Sequence, residues 1–316
     1  VNVLVTGAAG FIGSSLCERL LEDPNVKIIG IDAYVGPTAK EYKKDNIQSL
    51  ISHPRFQLIE QNLLNVEWEE LLGNVDVIYH LAGMPGVRAS WGADFKQYVS
   101  YNILVTQRLL EACKDRPLLK FIYASTSSIY GEKSGKVTEG QIPEPLSPYG
   151  ITKLTGEYLC KVYLKNYSVP VVILRYFTVY GPRQRSDMAF HRFIQRMLEN
   201  KPIPIFGDGK QTRDFTYIDD CVTATAAVLH AKNVVGEVMN IGGKERASVI
   251  DIISMLECFL EQKATLQFLD QAVGEPRHTW ADSSKAEKLL AYKPVNDLKT
   301  GLKKEIDYVQ KLYEKK

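Results

Sequence analysis

The sequence predicts an α/β fold built on a doubly wound parallel sheet, with a smaller mixed α/β lobe towards its C-terminal end. Three observations carry this: short apolar runs recur as far as Tyr180, helical patterns separate them, and a glycine-rich turn closes the first run. Strands alternating with helices need crossover connections, which give a parallel sheet covered on both faces.

Val1 to Val5 reads as the first strand, and Ser14 to Leu21 as the helix that follows it. Val26 to Ile31 is a second strand, ending at Asp32, and Phe56 to Ile59, Val75 to Ala82, Phe121 to Ala124 and Val171 to Leu174 are further strands. The patterns from Phe95 to Cys113 and from Tyr149 to Asn166 are helical. Beyond Tyr180 the alternation fails, and Gly181, Pro182, Pro202, Pro204, Gly207 and Gly209 punctuate a loop-rich stretch. A helix is expected from Asp219 to His230 and a strand from Val238 to Ile241. The expected division is a nucleotide-binding domain over 1–178, rejoined by 214–240, and a substrate lobe made of 179–213 and 241–316.

The 316 residues suffice for a large buried core, and 45% hydrophobic with 24% charged residues is ordinary for a soluble protein. A net charge of +2 gives no basis for a nucleic-acid or membrane partner, so any anionic ligand has to be met by local arginines. Five cysteines with no close pair argue for reduced thiols rather than a disulfide framework or a metal motif. No apolar run reaches the ~18 residues of a membrane span. The strand-like opening offers no signal peptide, and a cytoplasmic protein is expected.

Gly7-Ala8-Ala9-Gly10-Phe11-Ile12-Gly13 lies between the first strand and the first helix. Glycines there let the backbone turn tightly and approach a pyrophosphate, whose charge meets the helix N-terminus. Asp32, 19 residues after Gly13, is placed to accept hydrogen bonds from the adenosine ribose and would repel a 2′-phosphate. The expected cofactor is therefore NAD rather than NADP.

The GxxGxxG spacing, together with Tyr149-Gly150-Ile151-Thr152-Lys153, resembles the extended short-chain dehydrogenase/reductase family over nearly the whole chain. The resemblance implies a Rossmann-type sheet and a cofactor site that includes Asn62 and Leu63 near the adenine, Leu81-Ala82-Gly83 along the cofactor, and Asn102, Ser125 and Tyr176. Asn62 stands where the family more often has Asp, and Gly83 where Ala is frequent.

Tyr149 and Lys153 are four residues apart and share one helix face. A phenol of pKa ~10 is a poor base near neutrality. A neighbouring ammonium and a positive nicotinamide ring are expected to lower that value, while Lys153 also binds the nicotinamide ribose. Ser125-Thr126-Ser127-Ser128 follows a strand end, where open α/β sheets place ligands. By resemblance Thr126 hydrogen-bonds the substrate's C4 oxygen, although such hydroxyls also cap turns.

Related dehydratases carry an Asp-Glu pair after the threonine, and related decarboxylases a glutamate two residues after it. Here those positions are Ser127 and Ser128, so acid–base chemistry at C5 lacks an agent. Oxidation at C4, rotation of the ketosugar and hydride return remain. Arg175-Tyr176-Phe177-Thr178-Val179-Tyr180-Gly181-Pro182-Arg183-Gln184-Arg185, with Met188-Ala189, resembles UDP-glucuronate 4-epimerases; galactose-type epimerases and the decarboxylases usually have Asn where this chain has Thr178. The resemblance implies NAD-dependent conversion of UDP-glucuronic acid to UDP-galacturonic acid without decarboxylation, the serines restraining the carboxylate. It places Thr178, Ser127 and Ser128 at the sugar, Arg185 at the carboxylate or pyrophosphate, Ile205 or Phe206 at the uracil, and Arg213 and Arg277 at the phosphates. Arg88 is a weaker candidate, His80 and His278 are expected to be structural, and no metal site is expected.

Three alternatives stay open: another UDP-sugar, UDP-glucose or its N-acetyl analogue; a decarboxylase; and a non-catalytic NAD sensor. The helices at Phe95 to Cys113 and Tyr149 to Asn166 resemble those that pair family members into homodimers, though they also serve as ordinary sheet-covering helices.

Overall fold

A computed structural model describes residues 1–314. Six strands, β1 (Asn2–Thr6), β2 (Lys27–Asp32), β3 (Phe56–Glu60), β4 (Val77–His80), β5 (Lys120–Thr126) and β6 (Val171–Tyr176), enter one sheet. β7 (Thr178–Tyr180), β8 (Ile203–Phe206) and β9 (Thr212–Tyr217) leave it, and β10 (Val238–Ile241) returns to pair with β6. β11 (Glu245–Ser248) and β12 (Leu266–Leu269) complete the strands of the described residues. The large sheet has the order β10-β6-β5-β4-β1-β2-β3, and every pairing in it is parallel. Winding reverses between β1 and β4, which opens a crevice at the carboxyl ends of these strands.

The strand sequences are apolar at almost every position because both faces are covered. Val3, Val5, Tyr79 and Leu174 face the helices Phe11–Leu21, Lys40–Ile51 and Ile218–Ala227. Leu4, Ile78, Tyr123 and Ile173 face Val105–Ala112 and Pro148–Tyr167. The first of these cores continues into the smaller lobe through Phe190, Ile203, Phe215, Ile252 and Leu302. The lobe contains a sheet of order β11-β9-β7 and the parallel pair β12-β8.

Two expectations need correction. The helix predicted from Phe95 to Cys113 is α-helical over Phe95–Tyr98 and Val105–Ala112, but Val99–Leu104 between them is a π-turn carrying Tyr101 and Asn102. The return to the large sheet begins at Ile218 rather than 214, because β9 pairs with β7 and β11 in the small sheet. Only the buried Phe177 separates β6 from β7, and its N–H donates to Ile241 O at 3.1 Å.

The C-terminal helix Leu298–Glu314 docks with a wholly buried acid. Glu305 Oε2 accepts from Gly181 N at 2.7 Å, while Oε1 has no partner among the described residues. Burial raises its pKa well above the ordinary carboxyl range, outweighing the Gly181 bond. An unfolded chain ionises this group above pH ~4 while the fold keeps it protonated, so its contribution to stability falls as pH rises. Glu305→Gln is expected to raise Tm by about 3 °C at pH 8 and to leave it unchanged near pH 4, as thermal scans would read.

Candidate active site

The turn after β1 is built for close approach. Gly7 has φ +73°, and a Cβ on Gly13 would lie 2.1 Å from Gly7 O, so no larger residue lets the helix start against the turn. The helix Phe11–Leu21 has no side-chain cap and no acid in its first turn, leaving its N–H groups open to an anion. Asp32 closes the far side. Its carboxylate accepts from Ala9 N (3.1 Å), Tyr34 N (2.6 Å) and Lys43 Nζ (3.3 Å), which fixes its direction and keeps acceptor capacity for a further donor.

A cavity of about 370 Å³ runs from this turn past Asn62, Leu63, Leu81 and Ala82 to Thr126, Ser127, Ser128, Thr178 and Arg185. Every residue the sequence reading assigned to the cofactor or the catalytic group lines it. Lys43, Thr38 and Tyr101, which sequence reasoning passed over, line it too, as does the loop Met84–Val87 that precedes Arg88. Asn102 acts mainly on the protein, accepting from Met84 N (2.7 Å) and donating to Met84 O and Thr152 Oγ1 (3.0 Å each). A Cβ on Gly83 would stand 2.7 Å from Asn102 Oδ1, which accounts for glycine there.

The catalytic helix Pro148–Tyr167 is set by its start. Ser147 Oγ accepts from Gly150 N at 3.1 Å, and Pro148 takes the first position, where its missing N–H costs nothing. Tyr149 and Lys153 then follow one turn apart on the cavity side. Lys153 is 6% exposed, lies 4.4 Å over the Tyr123 ring, and its ammonium has no hydrogen-bond acceptor among the described residues. Burial lowers its pKa to about 8. An unpaired buried ammonium calls for an acceptor from outside the chain, as a ribose hydroxyl provides.

The Tyr149 ring is partly buried, with its hydroxyl deep in the cavity. In the protein alone the phenol lies above its ordinary range. Burial raises its pKa, and neither the hydrogen bond from Thr126 nor the charge of Arg185 offsets it. Thr126 caps the turn that follows β5, accepting from Ser128 N at 3.1 Å, so the capping and catalytic readings coexist. Its hydroxyl also reaches Ser128 Oγ at 3.2 Å, giving one proton two acceptors.

Beneath these residues lies a buried ion pair. Arg175 Nε and Nη2 reach Glu157 Oε1 and Oε2 at 2.9 and 2.7 Å, and Ser125 Oγ donates to the same carboxylate at 2.5 Å. Arg175 Nη1 continues to Tyr130 OH (2.8 Å), which donates to Asn240 Oδ1 (2.6 Å). This network ties β5, β6, β10 and the catalytic helix together.

The nucleotide-end candidates form a separate, smaller hollow containing Phe206, Arg213 and Arg277. Ile205 is 1% exposed and belongs to the core, leaving the partly buried Phe206 as the ring that lines the hollow. Arg277 pairs with Asp208 (2.7 Å) and Arg213 with Glu275 (3.4 Å), so both arginines carry acid partners. Arg88 joins the two hollows: its Nε meets Glu275 at 2.8 Å, its guanidinium stacks 4.0 Å from the Phe206 ring centre, and its neighbour Val87 lines the main cavity. His80 is buried between Thr6 Oγ1 (2.8 Å) and Thr106 Oγ1 (3.0 Å), and His278 bonds Thr212 Oγ1 (2.8 Å), both structural positions.

Residues 3–242 match the NAD dependent epimerase/dehydratase family. The chain belongs to that family. An uncharacterized UDP-glucose epimerase of Bacillus subtilis (strain 168), YtcB, is 55% identical over 314 residues, 99% of both chains. A UDP-glucuronate 4-epimerase of Thermodesulfobacterium geofontis is 39% identical, over 96% of this chain and 95% of that one. The crystal structure of UDP-glucuronic acid 4-epimerase from Bacillus cereus in complex with UDP-glucuronic acid and NAD superposes with a TM-score of 0.98. It is 60% identical over 99% of this chain and 100% of that one.

NAD is thus the cofactor of this epimerase/dehydratase family member, and the glycine turn, Asp32 and the unpaired Lys153 fit it. When bound, NAD supplies a hydride acceptor and donor and a positive ring beside the phenol. Lys153, Tyr149 and Thr126 line the cavity together, and the Lys153 ammonium is placed to meet a ribose hydroxyl. Because Lys153 loses its charge above about pH 8, NAD affinity is expected to weaken above that pH. Titration calorimetry of wild type against Lys153→Met should show the step only in wild type.

Proposed function

We propose that the protein interconverts UDP-glucuronic acid and UDP-galacturonic acid by NAD-dependent epimerisation at C4, without loss of carbon dioxide. One observation carries the reading: among the described residues lining the cavity the only carboxylate is Asp32, at the adenosine end. The sugar end offers Thr126, Ser127, Ser128, Thr178, Tyr149 and Arg185 instead. No carboxyl group is placed to move a proton at C5, so the 4-keto sugar can only be reduced again. Tyr149 takes the C4 hydroxyl proton as the hydride leaves, with Thr126 bonded to it. After the sugar turns, Tyr149 returns the proton as hydride reaches the other face.

The hydroxyl trio and Arg185 suit a carboxylate at C6. A 4-keto uronate is a β-keto acid, and holding its carboxylate out of line with the carbonyl prevents decarboxylation. The relatives in Bacillus cereus and Thermodesulfobacterium geofontis support this sugar; the Bacillus subtilis relative favours UDP-glucose as the second reading. NMR and mass analysis of UDP-glucuronic acid incubated with the NAD-loaded protein decides. Unchanged mass with a galacturonate anomeric signal is the expected result. UDP-xylose would overturn the missing-acid argument, and turnover of UDP-glucose alone would select the second reading.

The working assembly we infer is a homodimer. Ile151, Tyr158 and Val162 form an exposed stripe on the catalytic helix, and Phe95, Val99 and Leu104 are exposed on its neighbour. Tyr158→Glu with Val162→Glu is expected to convert a dimer to a monomer in light scattering; a monomeric wild type would remove the proposal. Five free thiols, four of them buried, fit a reducing cytoplasm, and no described helix is long and apolar enough to cross a membrane.

A further inference from the structure

Among the described residues lining the cavity, Arg185 is the one cation at the sugar end, and it is already engaged by Asp187. Its Nε lies 2.9 Å from Asp187 Oδ1 and its Nη2 3.1 Å from Oδ2, a two-point pair that occupies one edge of the guanidinium fork. Both side chains are partly exposed, so the pair is weak enough to exchange. On its other side Asp187 borders a hollow of about 430 Å³ shared with Arg192 and Arg196. Arg192 is partly buried and within electrostatic reach of Asp187. Asp187 therefore has a second cation at hand whenever Arg185 leaves it.

A uronate held by Thr126, Ser127 and Ser128 presents an acid of the same planar shape as Asp187. The two compete for one fork. The 4-keto sugar must also turn within the cavity, which a permanent Arg185–carboxylate pair would oppose.

We propose that Asp187 is a positioning residue that keeps the grip of Arg185 on the substrate carboxylate reversible, with Arg185 passing between the two acids as the sugar turns. The proposal rests on the uronate reading above. Arg192 takes Asp187 in the interval, so no acid is left unpaired. Without Asp187, Arg185 stays on the carboxylate: binding tightens and turning slows. A neutral sugar brings no rival acid and is indifferent to the change.

The test compares wild type, Asp187→Asn and Asp187→Glu as NAD-loaded protein, with UDP-glucuronic acid and UDP-glucose as probes. Calorimetric Kd is read for both probes and kcat for UDP-glucuronic acid. Asp187→Asn is expected to tighten UDP-glucuronic acid about fivefold, with a comparable fall in kcat, and to leave UDP-glucose unchanged. Asp187→Glu restores both values, and Arg192→Gln, which deprives Asp187 of its alternative, weakens UDP-glucuronic acid alone. A shift common to both nucleotides, or none in the Asn variant of a protein that prefers the uronate, overturns the exchange. A wild type that binds the two nucleotides alike overturns the uronate reading and the exchange with it.

Discussion

Tyr149→Phe is expected to lower turnover about 10³-fold while NAD and the UDP-sugar still bind with affinities close to wild type. The change removes only the hydroxyl. The ring keeps its edge-on contact with Tyr98, at 6.2 Å between centres, and the helix start fixed by Ser147 and Pro148 is untouched. What disappears is the group that accepts the C4 proton in the proposed mechanism, and Thr126 has a pKa far too high to replace it. Because burial holds the phenol above its ordinary value in the protein alone, the wild-type rate should climb with pH through the phenol's titration. That limb should vanish in the variant. Turnover followed by NMR, alongside calorimetric binding, separates chemistry from affinity. A variant retaining a tenth of the activity would remove Tyr149 from the proton transfer.

The largest effect on stability is expected from Glu157→Ala. Glu157 and Arg175 are 0% and 2% exposed, and the carboxylate satisfies two guanidinium nitrogens and the Ser125 hydroxyl. Deleting it strands a cation in the core, which typically costs 3–5 kcal/mol, about half the stability of an ordinary domain. Replacing both partners, Glu157→Leu with Arg175→Met, removes the stranded charge and should recover most of that loss in urea titrations. Recovery of stability without recovery of activity is the expected outcome, since Ser125 would lose the acceptor that directs it and Thr126 follows it directly. A double variant as unstable as the single one would show that packing rather than charge is at issue.

The parts of the site that could be read from the sequence are those whose chemistry is local. Gly7 to Gly13 needs its glycines because the turn and the helix touch within seven residues, and Tyr149 and Lys153 are joined by one helical turn. Asp32 sits at a strand end that hydrophobic pattern alone marks. The missed parts depend on distant segments. Lys43 reaches Asp32 from a helix of low apolar content, and the Arg175–Glu157 pair spans the catalytic helix and β6. Strands as short as β7, with three residues, carry no periodicity and exist because β9 accepts them. The π-turn at Asn102 is invisible because an apolar helical pattern does not record one extra residue per turn. The contacts of Arg88 are not legible because its partners, Phe206 and Glu275, lie more than a hundred residues away.

The joint between β6 and β7 constrains how the enzyme admits its substrate. A single interior residue, Phe177, links strands that belong to different sheets, and its N–H is fastened to Ile241. A swing about that joint would break the Phe177 bond to Ile241 and disturb the pairing of β6 with β10, so little relative movement of the two sheets is expected there. Access to the cavity then falls to the loops at its rim, and the turning sugar supplies the motion that the walls withhold.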